Sequence, residues 1–290
     1  MLKLAFISPI AHLNDISILG DFNLCLLHLL LESPEYLRWH KEQADKGRWT
    51  TLDNSTYELK KPFEMDKLVE MALTIGASEI VLPDVLKDKD KTIELSTKFL
   101  FDFDHKHKGL KGKIRLHGVV QGRTYEEWIE CFRWMMSQSD IASIGIPDDP
   151  DITVPGAKAG INLTQQRVEN RLRLLHVIEE EAAATYNYRK HRSKKPPDVF
   201  KKEFHLLGIE DPIEILRIPE WIRSIDSYSV CKAGSVGVRF TEEGLPGKEK
   251  KGPRVDMHAR YTPEQLSNIW WNISMMRRYG IRLNMIKPWE

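Results

Sequence analysis

Cysteine is scarce in this chain, and what is missing narrows the field early. Three cysteines occur in 290 residues, Cys25, Cys131 and Cys231, each far from the others. They form no metal-ligand pair and no disulfide framework, so the expectation is a reducing cytoplasm. No apolar run reaches the roughly 20 residues a membrane span requires; the longest, "LCLLHLLLE", carries His28 within it. The opening "MLKLAFISPIAHL" reads as a strand running into a loop rather than as a targeting signal. No strand is followed by a Gly-rich phosphate loop, which counts against a dinucleotide fold. Net charge is also nearly absent, at +1, although 29% of residues are charged and 41% hydrophobic. That balance is ordinary for a globular protein.

What is present is one punctuation scheme, repeated. Short apolar or β-branched runs end in a polar residue or glycine and give way to helical patterns. The strand candidates are Leu4–Ser8, Thr50–Ser55, Ser78–Asp84, Ile114–Gly122, Ile141–Pro147, Phe204–Ile209 and Ile222–Ser227. Between them "FEMDKLVEMALTIG" and "YEEWIECFRWMMSQS" place apolar residues at three- and four-residue spacing, with Asp66 and Thr124 near their starts as candidate caps. Alternating strands and helices predict an α/β chain with a parallel sheet and right-handed crossovers. Seven strands and one without a clear position predict a single (β/α)8 TIM-type barrel over 1–290, for which about 250 residues suffice. An open doubly wound sheet is the competing fold. The long connection at about 148–203 reads as a helical and basic insertion, and about 262–290 as a C-terminal helical segment. The aromatic pairs in "FRWMM" and "IWWNISMM" sit at helical spacing and are expected in the core.

A barrel gathers its chemistry at the C-terminal ends of its strands. The residues there are Asp53, Asp84, Gln121, Gly145, Gly208 and Asp226. One strand-end Asp is usually a cap or turn former. Three converging on one mouth are harder to dismiss, because buried unpaired carboxylates are expensive. The residues themselves therefore imply a polar, acid-lined barrel mouth for a ligand with several N–H donors, and no more.

Five segments add a resemblance. "LHGVVQGRTYEEW", "TLDNSTYE", "IVLPDV", "FHLLGIEDPIEIL" and "DSYSVCKAG" resemble, in order and strand placement, segments of the tRNA-guanine transglycosylases over roughly residues 49–235. "VVQG" is the most specific of these matches. The Cys-x-Cys-x-x-Cys…His zinc module of that family is missing, since no cysteine follows Cys231, so neither a zinc subdomain nor any cofactor is expected. The zinc-free, compact form looks most like the viral 7-deazaguanine DNA transglycosylases. The resemblance implies exchange of guanine in DNA for a 7-deazaguanine (preQ0-like) base by an enzyme in a host cytoplasm.

It also implies roles. Asp226 takes the nucleophile's position and Asp53 that of a general base. Asp84 would read the guanine edge, helped by Gln121 and by backbone around Gly145, Ile146 and Gly208, with Tyr57 stacking on the ring. Glu58 stands where the family has glutamine. Lys232 falls on a basic position. The loop carrying Arg189, Lys190, Arg192, Lys194 and Lys195 is a candidate DNA clamp, with plain surface or a homodimer contact as the alternatives. Gln121 as a loop-satisfying amide and Tyr57 as packing also stay open. His117 and His205, inside strands, read as core or supporting histidines. A zinc-free enzyme acting on tRNA and a non-catalytic nucleic-acid-binding subunit remain alternative functions.

Overall fold

The computed structural model describes residues 1–148, 152–160, 162–186, 202–246 and 256–286. Its strands are β1 (Lys3–Phe6), β2 (Asn23–Leu26), β3 (Thr50–Asp53), β4 (Glu79–Val81), β5 (Arg115–Val119), β6 (Ile141–Pro147), β7 (Glu203–Leu207) and β8 (Ile222–Ser227). They form one eight-stranded sheet in the order β1-β8-β7-β6-β5-β4-β3-β2, and every ladder is parallel. The sheet curls into a nearly closed (β/α)8 TIM-type barrel. Asp21, just before β2, spans the remaining seam: its N–H donates to the Leu4 carbonyl at 2.6 Å, and its Oδ2 accepts the Leu4 N–H at 2.9 Å.

The strand without a position in the sequence is β2. It sits inside "NLCLLHLLLE" and runs into the helix Leu27–Glu32 with no intervening turn residue. Leucines and Cys25 run on across the junction between the two elements, so periodicity cannot divide them.

Helices form where the apolar spacing predicts them. Tyr125–Ser137 starts at Thr124, whose side chain accepts the Glu127 N–H, and it buries Trp128, Ile129, Phe132 and Met135. Each such side chain removed from water contributes about 1.5–3 kcal/mol. Met65–Ile75 buries Leu68, Val69, Ala72 and Ile75, but Asp66 is not its cap: Glu64 holds that position and makes no side-chain capping bond. Asp66 lies in the first turn and pairs with Lys106 at 3.6 Å. Leu163–Tyr186, within the expected insertion, makes the crossover from β6 to β7 and buries Leu174, Leu175, Val177 and Ile178. The C-terminal helix Pro263–Ile286 packs against the Pro212–Leu216 turn and the Ser229–Gly234 helix. Its Ile269, Ile273, Met275 and Met276 enter the core, whereas Trp270 and Trp271 are exposed at 44% and 45%. The expectation that both indoles are core is therefore corrected. An indole N–H is better satisfied at a surface carbonyl, and these donate to Asp15 and Phe240.

The barrel interior is polar, where such barrels usually hold layers of Val, Ile and Leu. Arg223 on β8 reaches Glu79 on β4 at 3.2 Å, across the full width of the barrel. Arg115 and Arg223 both bind Glu203, and both guanidiniums lie 5.4 Å from the Trp49 ring centre. Glu79, Arg115 and Glu203 begin their strands and Arg223 is second in β8, so this charge cluster closes the N-terminal end. One layer higher, Ser143 Oγ donates to Glu79 at 2.6 Å and meets His117 Nδ1 at 2.8 Å. Since that hydroxyl proton goes to the carboxylate, His117 must donate from Nδ1. Its Nε2 is buried without a hydrogen-bond partner among the described residues and lies over Gly145. A Cβ added at Gly145 would stand 2.5 Å from that nitrogen, so glycine is required there for His117 to fit.

Candidate active site

At the opposite end the strands deliver carboxylates. Asp226, the fifth residue of β8, is buried at 5% exposure. Its Oδ1 takes two hydrogen bonds, from His205 Nε2 at 2.9 Å and from the Gly208 N–H at 3.1 Å. Oδ2 accepts none among the described residues. Gly208 supplies its donor because the chain turns sharply after β7, with φ +66°, a conformation cheap only for glycine. The Gly208 and Leu207 carbonyls are held in turn by Arg171 from the crossover helix Leu163–Tyr186. Arg171 is itself clamped by two short bonds to Glu214, at 2.7 and 2.6 Å, and both side chains are buried.

His205 is fixed from behind. Arg223 donates to Ser224 Oγ at 3.3 Å, and Ser224 meets His205 Nδ1 at 2.9 Å. With Asp226 accepting at Nε2, the consistent assignment has Ser224 donating to Nδ1 and Nε2 carrying the proton. A continuous chain thus runs from the charge cluster at the base to the carboxylate at the mouth.

Across the mouth, β3, β4 and β5 end in a second assembly. Asp84 is buried, and each of its oxygens is met by an amide: Oδ1 by Asn54 Nδ2 at 2.8 Å, Oδ2 by Gln121 Nε2 at 2.6 Å. Asn54 also donates to the Leu82 carbonyl and accepts the Thr56 N–H. Gln121 Oε1 accepts the Lys87 N–H at 3.0 Å, which fixes the amide's orientation. One Gln121 N–H and further lone pairs on Asp84 are left for a ligand. Burial raises the Asp84 carboxyl, and Asn54, Gln121 and Thr56 pull it back toward the ionised form.

Asp53 ends β3 with Oδ1 accepting the Ser55 N–H at 2.7 Å. Burial pushes its carboxyl well above the usual range, and the neighbouring charges of Glu58, Asp84 and Asp226 add to the rise against the Ser55 bond. Glu58, exposed at the rim, is raised as well, by desolvation first and by Asp226, against its own backbone N–H and Lys60. Asp53 ends β3, Asp84 follows β4 and Asp226 lies near the end of β8, so the three carboxyls share the C-terminal end of the barrel, with Glu58 just beyond β3. The turn that positions them carries Ser55 at φ 59°, an unusual conformation for a residue with a side chain. Ser55 is fully buried and its hydroxyl accepts the His28 N–H at 3.2 Å.

The remaining candidates divide. Tyr57 is at the rim, 70% exposed, with the Lys60 ammonium 3.9 Å from its ring centre. Gly145 lies mid-strand; its carbonyl accepts the Val120 N–H, and its bare Cα accommodates His117. Ile146 is fully buried. Lys232, in the Ser229–Gly234 helix, pairs with Glu210 at 3.7 Å. Arg189, Lys190, Arg192, Lys194 and Lys195 lie outside the described residues. Sequence reasoning did not single out Asn54 or Arg171, and it gave His205 only a supporting place. The available signal for His205 was strand alternation, which puts 203, 205 and 207 on one face of β7. No protein-family model matches the chain, and no curated protein matches it in sequence.

Proposed function

We propose that the protein is a DNA-guanine transglycosylase that exchanges guanine for a 7-deazaguanine base through an Asp226–sugar ester. The observation that carries this reading is the Asp226 carboxylate, held twice at Oδ1 and, among the described residues, free at Oδ2, in the mouth it shares with Asp53 and Asp84. In the first half-reaction Oδ2 bonds to C1′ of an extruded nucleotide as the C1′–N9 bond breaks through an oxocarbenium-like state. The electron pair leaves with guanine, and a proton from the mouth neutralises it. Asp53 suits that proton transfer, because its raised carboxyl takes up a proton more readily than an ordinary aspartate and can return as base when the incoming deazaguanine must lose one. Asp84 faces the N1–H and N2–H₂ donors of the base, and the spare Gln121 N–H faces its O6. The exposure of Tyr57 at the rim supports a stacking role on the base over core packing.

The test is incorporation of a labelled 7-deazaguanine into duplex DNA, into single-stranded DNA and into tRNA. Wild type should label DNA, and Asp226→Asn should not, since an amide forms no ester. Labelling of tRNA alone would replace the DNA substrate with RNA. Equal labelling by the Asn variant would remove Asp226 from the chemistry.

A further inference from the structure

Both donors on Asp226 address the same oxygen, and the oxygen they leave free is the one a C1′ would meet. We infer that His205 Nε2–H and the Gly208 N–H form a donor pair that drives the second half-reaction, by stabilising the carboxylate as it leaves the sugar. This rests on the transglycosylase reading above. An ester carbonyl is a weaker acceptor than a carboxylate, so both hydrogen bonds are stronger with Asp226 free than with Asp226 esterified. They therefore restrain the attack on C1′ and assist the discharge. In the discharge, N9 of the incoming base bonds to C1′, the C1′–Oδ2 bond breaks, and its electron pair returns to a carboxylate whose Oδ1 already faces two donors. The N9 proton passes to Asp53.

The supporting chain gives the pair its direction. In its neutral form His205 donates to Asp226 from Nε2 with Nδ1 as the acceptor, and a hydroxyl donated by Ser224 favours that tautomer. Ser224 is itself approached by Arg223, which Glu79 and Glu203 hold at the barrel base. The Gly208 donor is fixed by Arg171 on the carbonyl of the same residue. His205 is thus a positioning residue that acts through Asp226, and its imidazole edge is enclosed by Phe22 and His117.

The experiment measures two rates in the full-length protein incubated with DNA and quenched by denaturation: formation of the covalent protein–DNA adduct, and its discharge by added 7-deazaguanine. His205→Leu removes the donor, and His205→Gln restores an N–H at the same reach. The expected result is slower discharge in the Leu variant by about tenfold or more, the worth of one hydrogen bond to a charged group. Adduct should accumulate above the wild-type level, with near-normal discharge in the Gln variant. A purely architectural role would move the other way, since a misplaced Asp226 would form less adduct. Should the Leu variant not fold, Ser224→Ala serves, with the same accumulation expected to a smaller extent. Adduct that forms in wild type but discharges at the same rate in all variants overturns the inference and leaves the transglycosylase reading standing. Loss of formation and discharge together in folded variants also overturns it. No adduct in wild type would instead defeat the reading on which it rests.

Discussion

The two ends of this barrel hold similar numbers of charged groups and treat them in opposite ways. At the base each charge has a partner: Glu79 faces Arg223 and Arg115, and Glu203 is shared between the same two guanidiniums. Burial works against the Glu79 charge, yet His117, Arg223, Ser143 and Arg115 outweigh it and hold the carboxyl down at about 2. Burial in turn pushes His117 down to about 3, so its ring is neutral at neutral pH and the guanidiniums and the hydroxyl are the partners that count. At the mouth, Asp53, Glu58 and Asp84 are all raised, with desolvation the leading cause in each. The base is arranged for folding. The mouth keeps carboxyls that folding alone would discard, as the proposed reaction site requires.

The comparison breaks most visibly if a base partner is removed. Glu79→Ala leaves Arg223 and Arg115 without their buried partner and should destabilise by about 3–5 kcal/mol, the cost of breaking a buried ion pair from one side. Urea denaturation reads this directly; a loss below 1 kcal/mol would mean that the base cluster is not structural.

Removing a mouth carboxylate should do the reverse, costing binding and little stability. Asp84→Ala should weaken free 7-deazaguanine by about 1.5–3 kcal/mol in calorimetry, as expected for losing a charged hydrogen-bond acceptor. Unchanged affinity would take Asp84 out of the proposed base site.

The smallest effect concerns pH, where the two ends have opposite signs. Glu79 has a lowered folded-state value, so its contribution is present above the ordinary glutamate range and is lost as pH falls toward about 2. The folded state also refuses protons at His117 and His40, both lowered to about 3 by burial, so stability falls as pH drops below about 6.5. Asp148, after β6, is the opposite case. Burial raises it to about 6 against the pull of Arg171 and Arg167, so its folded form holds a proton the unfolded chain has released. Between the ordinary Asp range and about 6 its contribution declines as pH rises. Asp148→Asn should therefore gain stability at pH 7.5 relative to wild type, by on the order of 1 kcal/mol, and show less gain at pH 4.5. Equal gains at both values would mean that the carboxyl does not titrate as placed.

The sequence made the barrel legible because its strand ends are punctuated. Ile141–Pro147 and Ile222–Ser227 match the structure end to end, while β2 was hidden by an apolar run that continues into a helix. Asp53, Asp84, Gln121 and Asp226 were legible as mouth residues for the same reason: each is a polar residue at or just past a strand end. The partners were not. Arg223 meets Glu79 across 144 positions, and Arg171 meets Glu214 across 43, contacts that exist only once the sheet has closed. Gly145 shows the limit clearly. Its place near the mouth implies a backbone donor, and the structure gives its bare Cα a different use, as room for His117.

The most direct test is the mass of the protein after incubation with DNA, nuclease trimming and denaturation, followed by peptide mapping. A nucleotide-sized adduct is expected on the peptide containing Asp226, absent from Asp226→Asn and discharged by a 7-deazaguanine base. An unmodified Asp226 peptide under conditions where labelled base enters DNA would contradict a covalent mechanism at this carboxylate.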